Sequence, residues 1–110
     1  MKQRVTTKQL VALAQLLKNL KEIGDKKYGT IDDLIIMTHK LSPNTIFVKY
    51  EKNFTSGGER DYQYRIASVD LEGNIAFIDD KFNDIFERAA FLSECKPFDM
   101  EDPTQYEKID

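Results

Sequence analysis

The sequence predicts a small α+β domain, with an N-terminal helical hairpin, a three-stranded antiparallel β-meander and a C-terminal helix packed on the sheet. The 110 residues are 41% hydrophobic and include seven Phe and five Tyr, which suffices for one core without disulfides or metal. Apolar residues recur at helical spacing near both ends of the chain and alternate with polar ones in the middle. The expected order is α-α-β-β-β-α, with residues 1–98 as the domain and 99–110 as an acidic, extended tail.

The first helix is expected over about residues 7–23. Thr6 precedes it, and Gln9 three positions later completes a capping-box pattern. Leucines then recur at helical spacing, at Leu10, Leu13, Leu17 and Leu20. Gly24 is a natural C-cap, so the helix should end there.

The second helix is expected over about residues 31–41. Thr30 followed by Asp32 and Asp33 has the composition of a helix N-terminus, where acids interact favourably with the helix dipole. Pro43 would stop the helix because proline disfavours a helical residue before it. One face would carry Ile31, Leu34, Ile35, Thr38 and Leu41.

Three strands are expected to follow, over residues 45–50, 62–69 and 75–78, because apolar and polar side chains alternate there. A polar hairpin loop over residues 53–60 should join the first two strands. A tight turn over residues 71–74, with Gly73 supplying a positive φ, should join the last two. Helices would cover this small sheet, which is not stable by itself.

The last helix is expected to begin after Asp79 or Asp80 and to end near Cys95. Its apolar stripe toward the sheet would be Phe82, Ile85, Phe86, Ala89 and Leu92. The opposite face would present to solvent an acidic ridge with one aromatic residue, consisting of Asp80, Asp84, Glu87, Phe91 and Glu94. Aromatic anchors among charges are typical of partner-binding surfaces. The alternatives are an ordinary solvated face, or cover for Phe91 from a tail residue: Phe98, Met100 or Tyr106.

Charge is distributed unevenly along the chain. Residues 1–69 contain 12 Lys/Arg against 7 Asp/Glu, whereas residues 70–110 contain 4 against 12. Such asymmetry indicates charged partners. The expected binding surface therefore combines the acidic ridge with the tail acids Asp99, Glu101 and Asp102.

Catalytic and cofactor motifs are not apparent. His39 is the one histidine, expected in a last helical turn where it would cap carbonyls, and Cys95 lies far from the helix N-terminus that favours a thiolate. One His and one Cys cannot form a structural zinc site, and a single Cys fits a reducing compartment. With no leader-like or membrane-length apolar run, we expect a cytoplasmic, non-enzymatic protein without cofactor, metal or membrane contact.

A nucleic-acid-binding module is the alternative interpretation. It would use basic and aromatic side chains on the first two strands and their loop, namely Lys49, Lys52, Arg60, Arg65, Tyr62 and Tyr64. The expected α-β-β-β-α order of residues 30–95 resembles the topology of double-stranded-RNA-binding domains. That resemblance implies lysines at the start of the final helix, where this chain has acids that repel phosphate.

The function expected from these patterns is protein binding. The chain would be a small regulator or inhibitor whose acidic helix imitates a row of phosphates and docks on a basic, often nucleic-acid-binding, surface of a larger protein. Phage-borne inhibitors of host defence, including anti-CRISPR proteins, are often small, acidic and poor in motifs, so they are one class to test. A homodimer through Ile36, Met37 or Phe91 is a further interpretation, and an enzyme remains the third class.

Overall fold

The computed structural model describes residues 2–24, 29–56 and 58–110. Within these ranges the helices are α1 (Thr7–Gly24) and α2 (Ile85–Ser93), and a 3₁₀ turn (Asp79–Lys81) precedes α2. The strands are β1 (Gln3–Val5), β2 (Gly29–His39), β3 (Ser42–Ser56), β4 (Glu59–Val69), β5 (Ile75–Phe77), β6 (Cys95–Pro97) and β7 (Tyr106–Lys108). Five of them form an antiparallel sheet in the order β5-β4-β3-β2-β6, and β1 pairs in parallel with β7.

The predicted helical hairpin and three-stranded meander are wrong, because residues 31–41 do not form a second helix. Most of that segment lies in β2, which pairs antiparallel with β3 along its length and with β6 at its end. The chain is therefore mostly strand, with a two-helix α+β architecture built on five strands.

A β-bulge explains why β2 lacks the regular alternation of a strand in its sequence. Asp32 pairs with Glu51 and Ile35 with Lys49, so β2 has one residue more than β3 in this interval. Within the bulge Asp33 takes a left-handed φ of 51°. The extra residue brings Ile31 and Ile36 to the same sheet face although they are five positions apart. A regular strand places residues an odd number of positions apart on opposite faces, so the bulge removes the alternation by which a strand is recognised.

The three predicted strands are present but longer or shorter than expected. Residues 45–50 lie within β3, residues 62–69 within β4, and residues 75–77 form β5. Strand pairing also continues through most of the predicted 53–60 loop, as far as Ser56 opposite Glu59. Gly57, in that loop, lies outside the described residues.

The predicted first helix is confirmed as α1, including its capping box. The Gln9 N–H donates to Thr6 Oγ1 over 3.1 Å, and the Thr6 N–H donates to Gln9 Oε1 over 3.4 Å. The leucine face packs on one side of the sheet, which we call the α1 face. Its buried core includes Leu13, Leu16 and Leu20 from the helix with Ile46, Val48, Tyr50, Ala67 and Val69 from β3 and β4.

The acidic segment 99–110 folds back onto the N-terminus. Strand β7 pairs with β1, and the Ile109 N–H donates to the Val5 carbonyl over 2.9 Å. The Asp110 carboxylate accepts the Thr7 N–H at the start of α1, and this backbone hydrogen bond is the main cause that lowers the pKa of Asp110. The boundary at residue 98 stays a prediction, but the segment beyond it is tied to the domain.

The turn before β5 generates a stability prediction. Gly73 has a φ of 81°, as the sequence predicts, and a Cβ there would lie 2.9 Å from the Lys8 carbonyl oxygen of α1. Gly58 has a similar φ of 85° but open space around it. We expect Gly73→Ala to destabilise the fold by roughly 2–4 kcal/mol, because it adds a steric clash to the backbone strain of a positive φ. Gly58→Ala should cost only about 1 kcal/mol, because that substitution introduces the backbone strain without a clash. Urea unfolding of both variants measures this, and equal losses would contradict the contact between turn and helix.

Candidate functional site

Helix α2 is held on the second face of the sheet, opposite α1, by the ring of Phe91. That ring stacks on His39 with centroids 4.7 Å apart and planes 5° apart. It meets Phe47 edge-on at 5.1 Å and lies 5.4 Å from Phe82. Aromatic pairs at these separations contribute beyond the area they bury. Phe91 is therefore the anchor of α2, and we call this side of the sheet the α2 face.

The predicted orientation of α2 is wrong in part, although Phe82 and Leu92 pack on the α2 face as expected. Phe91, expected in the exposed ridge, packs against the buried core of the α2 face. Ile85 and Phe86, expected to face the sheet, are 75% and 77% exposed. The tail does not provide the cover for Phe91 either, because Phe98, Met100 and Tyr106 all pack in or against the core of the α1 face.

The true start of α2 removes one residue from the predicted apolar stripe. Asp84 is the N-cap, and its Oδ1 accepts the Glu87 N–H over 2.8 Å. Because the helix begins only at Ile85, Phe82 is not helical and does not share the helical phase that the predicted stripe assumed. A signal for this start was present in the sequence, since an Asp followed three positions later by a Glu has the capping-box spacing.

The acids of the expected ridge have separate local roles. Glu87 Oε2 accepts from the backbone and side chain of Asn83, over 3.4 and 3.1 Å. At the other end of α2, Glu94 Oε2 lies 3.3 Å from His39 Nε2, and its Oε1 lies 4.0 Å from Lys40 Nζ. Asp80 is exposed in the 3₁₀ turn. The stripe that carries Phe91 and Glu94 thus turns toward the sheet, while the acids near the helix start stay at the surface.

The tail acids lie in the turn between β6 and β7. Asp99 Oδ1 accepts the Glu101 N–H over 2.9 Å, and Asp102 Oδ1 accepts from the Thr104 hydroxyl over 2.6 Å and from its N–H over 3.0 Å. The Thr104 hydroxyl, followed by that N–H, lowers the pKa of Asp102. Two of these three carboxylates therefore shape the turn, and Glu101 is exposed.

The basic and aromatic candidates are divided between the two faces of the sheet. Alternation along β3 and β4 places Lys49, Tyr62 and Tyr64 on the α2 face, where the Arg88 guanidinium lies 5.6 Å from the Tyr64 ring. Lys52 and Arg65 lie on the α1 face, over the rings of Phe54 and Phe77 at 5.4 and 4.4 Å. The side chain of Arg60 lies outside what the structure describes. Among the candidates whose side chains the structure describes, the two half-exposed tyrosines share the α2 face with Lys49, and Lys52 shares the α1 face with Arg65.

Both nitrogens of the His39 ring are engaged. The Leu41 N–H donates to Nδ1 over 3.1 Å, and Nε2 faces Glu94. Burial, followed by the charge of Glu94, raises the pKa of the Cys95 thiol from 9.0 to about 11, so it is protonated at neutral pH. Over residues 2–24, 29–56 and 58–110, no three His, Cys, Asp or Glu side chains are grouped as metal ligands would be. Within the same ranges, neither helix combines the length and the hydrophobicity that crossing a bilayer requires.

Comparison with models of protein families, with curated proteins and with solved structures finds no match to this chain. The functional argument therefore depends on the surfaces themselves. The most exposed pair of large apolar side chains is Ile85 and Phe86, next to the exposed acids at the start of α2.

The raised pKa of Cys95 generates a pH prediction. Between pH 9 and about 11 the unfolded chain releases the thiol proton while the folded chain retains it, so the thiol's contribution to stability is full below pH 9 and lost toward pH 11. We expect wild type to lose more unfolding free energy across this range than Cys95→Ser, which has no thiol to titrate. Burial also raises the pKa of Tyr50, but that effect is common to both proteins. Parallel pH curves from urea unfolding would contradict the burial of the thiol.

Proposed function

We propose that this chain is a small, non-enzymatic regulator or inhibitor that acts by binding a larger protein through the outer surface of α2. That surface, called the α2 outer surface below, consists of Asp80, Asp84, Ile85, Phe86 and Glu87. The observation that supports the proposal is the exposure of Ile85 and Phe86, at 75% and 77%. Two adjacent large apolar residues this exposed contribute little to the fold, whereas they are the kind of anchor that binding interfaces bury.

The negative charge of the α2 outer surface indicates a partner with a basic surface. The three acids of the α2 outer surface are exposed beside the apolar pair. Residues 79–110 as a whole contain 10 Asp/Glu against 4 Lys/Arg. A complementary surface would be an apolar pocket for Phe86 with a basic rim, such as the edge of a nucleic-acid-binding groove. Opposite charges at the rim would speed association and make it sensitive to salt.

Nucleic-acid binding is the alternative proposal, supported by the two half-exposed tyrosines and Lys49 on the α2 face. Charge argues against it. Residues 29–66, which include β2, β3 and most of β4, contain five Lys/Arg and five Asp/Glu. Affinity for a phosphate backbone needs an excess of positive charge, which this region does not have.

Substitution of Phe86 tests the proposal against a matched exposed residue. Leu41 is 74% exposed in the β2–β3 turn and serves as the control. From a nuclease-treated source-cell lysate, wild type should capture a protein that Phe86→Ala loses and Leu41→Ala retains. With the identified partner purified, we expect Phe86→Ala to weaken binding about 30-fold, the loss typical of a hot spot, with an unchanged circular dichroism spectrum.

The acidic rim is tested separately, because Asp84 also caps α2. Asp84→Ser removes the charge and keeps a capping hydroxyl, so the helix should persist. We expect it to slow association most strongly at low salt. Equal binding by wild type and Phe86→Ala would overturn the proposal. Nucleic acid recovered from untreated lysate, with no protein partner, would favour the tyrosine face instead.

A further inference from the structure

Strand β4 has an unpaired outer edge over residues 59–65. Its neighbour β5 pairs only with Ala67–Val69. At the next position the Ile66 N–H donates to Asp79 Oδ1 over 3.0 Å, and the Ile66 carbonyl accepts from the Ile78 N–H over 3.0 Å. In the described part of the chain no strand pairs with the outer edge beyond Ile66. An unpaired edge of this length is a template for another strand.

The direction of the free backbone groups follows from Ile66. Its N–H and C=O point away from β3, since both are bonded to the β5 side. Backbone groups alternate in direction along an antiparallel strand, so Tyr64 and Tyr62 also direct their N–H and C=O outward. Gln63 lies between the two tyrosines, and its N–H and C=O point toward Lys52 of β3.

The sequence around Gln63 is self-complementary for antiparallel pairing. With Gln63 opposite itself, Tyr62 lies opposite Tyr64. An aromatic pair of this kind stabilises facing strands. This register also makes each Tyr62–Tyr64 pair the one that exchanges main-chain hydrogen bonds, as the outward groups require.

We propose that a second copy of this chain pairs antiparallel with β4 across a two-fold axis at Gln63. The two sheets join into one, with four tyrosines of the two copies together on the α2 face. The partner is a second copy rather than another strand because both the tyrosines and the outward backbone groups of the edge match themselves about a single residue, as an isologous interface must. The contact involves few residues, so the dimer forms in a concentration-dependent equilibrium. The inference is independent of the α2 outer surface.

Gln63→Glu tests the axis without harming the monomer. Gln63 is exposed and pairs with Lys52 on β3, so a glutamate gains a favourable cross-strand partner within the chain. Across the axis, however, it meets a second glutamate. By analytical ultracentrifugation from micromolar to millimolar concentration, we expect wild type to shift from 12.8 kDa toward twice that mass. The Gln63→Glu dimer should be about fivefold weaker, because like charges then face each other.

Mixing with Gln63→Lys makes the test specific to this register. Each single variant repels itself, whereas an equimolar mixture pairs glutamate with lysine and should restore the dimer to wild-type strength or above. Hydrogen exchange should show the Tyr62 and Tyr64 amides gaining protection as concentration rises, while the Gln63 amide is protected throughout. A wild type that is monomeric at every concentration overturns the proposal. So does a dimer that Gln63→Glu leaves unchanged, or one that only Phe86→Ala disrupts.

Discussion

The packing of Phe91 against His39 and Phe47 is the contact on which the placement of α2, and with it the proposed binding surface, depends. A nine-residue helix is marginal in isolation, and α2 has no fully buried residue. Burying much of one phenylalanine contributes roughly 1.5–3 kcal/mol, enough to decide how such a helix lies. The His39 ring is itself held by the Leu41 N–H and by Glu94, so the β2–β3 turn, the histidine and the end of α2 form one connected unit.

With Phe91 turned inward, the other residues of α2 have fixed positions. Ile85 and Phe86 must lie outward, and the acids nearest them stay exposed even where they bond to the helix N-terminus. Most of the remaining acids have a structural reason for their position, whether in a turn, against His39 or at the start of α1. Ile85 and Phe86 have no structural reason for their exposed position. The functional proposal therefore rests on these two residues, and the nearby acids indicate only that the partner's surface is basic.

The sequence predicted those elements that interactions between neighbouring residues determine. The capping box at Thr6 and Gln9, the leucine face of α1, the Gly73 turn and the centres of β3, β4 and β5 all follow from neighbouring residues. Strand β2 was missed because its bulge interrupts the alternation of a regular strand, and β1, β6 and β7 because three-residue strands depend on distant partners. The orientation of α2 was missed because Phe82 precedes the helix instead of contributing to its apolar stripe, and because Phe91 packs on His39 and Phe47, which are distant in sequence. The Asp84–Glu87 spacing was the available signal for the start of the helix.

Oxidative footprinting with hydroxyl radicals, read residue by residue by mass spectrometry, tests the orientation of α2 most directly. Phe86 and Phe91 have the same intrinsic reactivity and lie in one short helix, so the ratio of their modification rates reports exposure alone. The account predicts that Phe86 reacts nearly as fast as in the unfolded chain while Phe91 is strongly protected. Equal rates, or a protected Phe86 beside a reactive Phe91, would contradict the packing of Phe91 on His39 and with it the α2 outer surface.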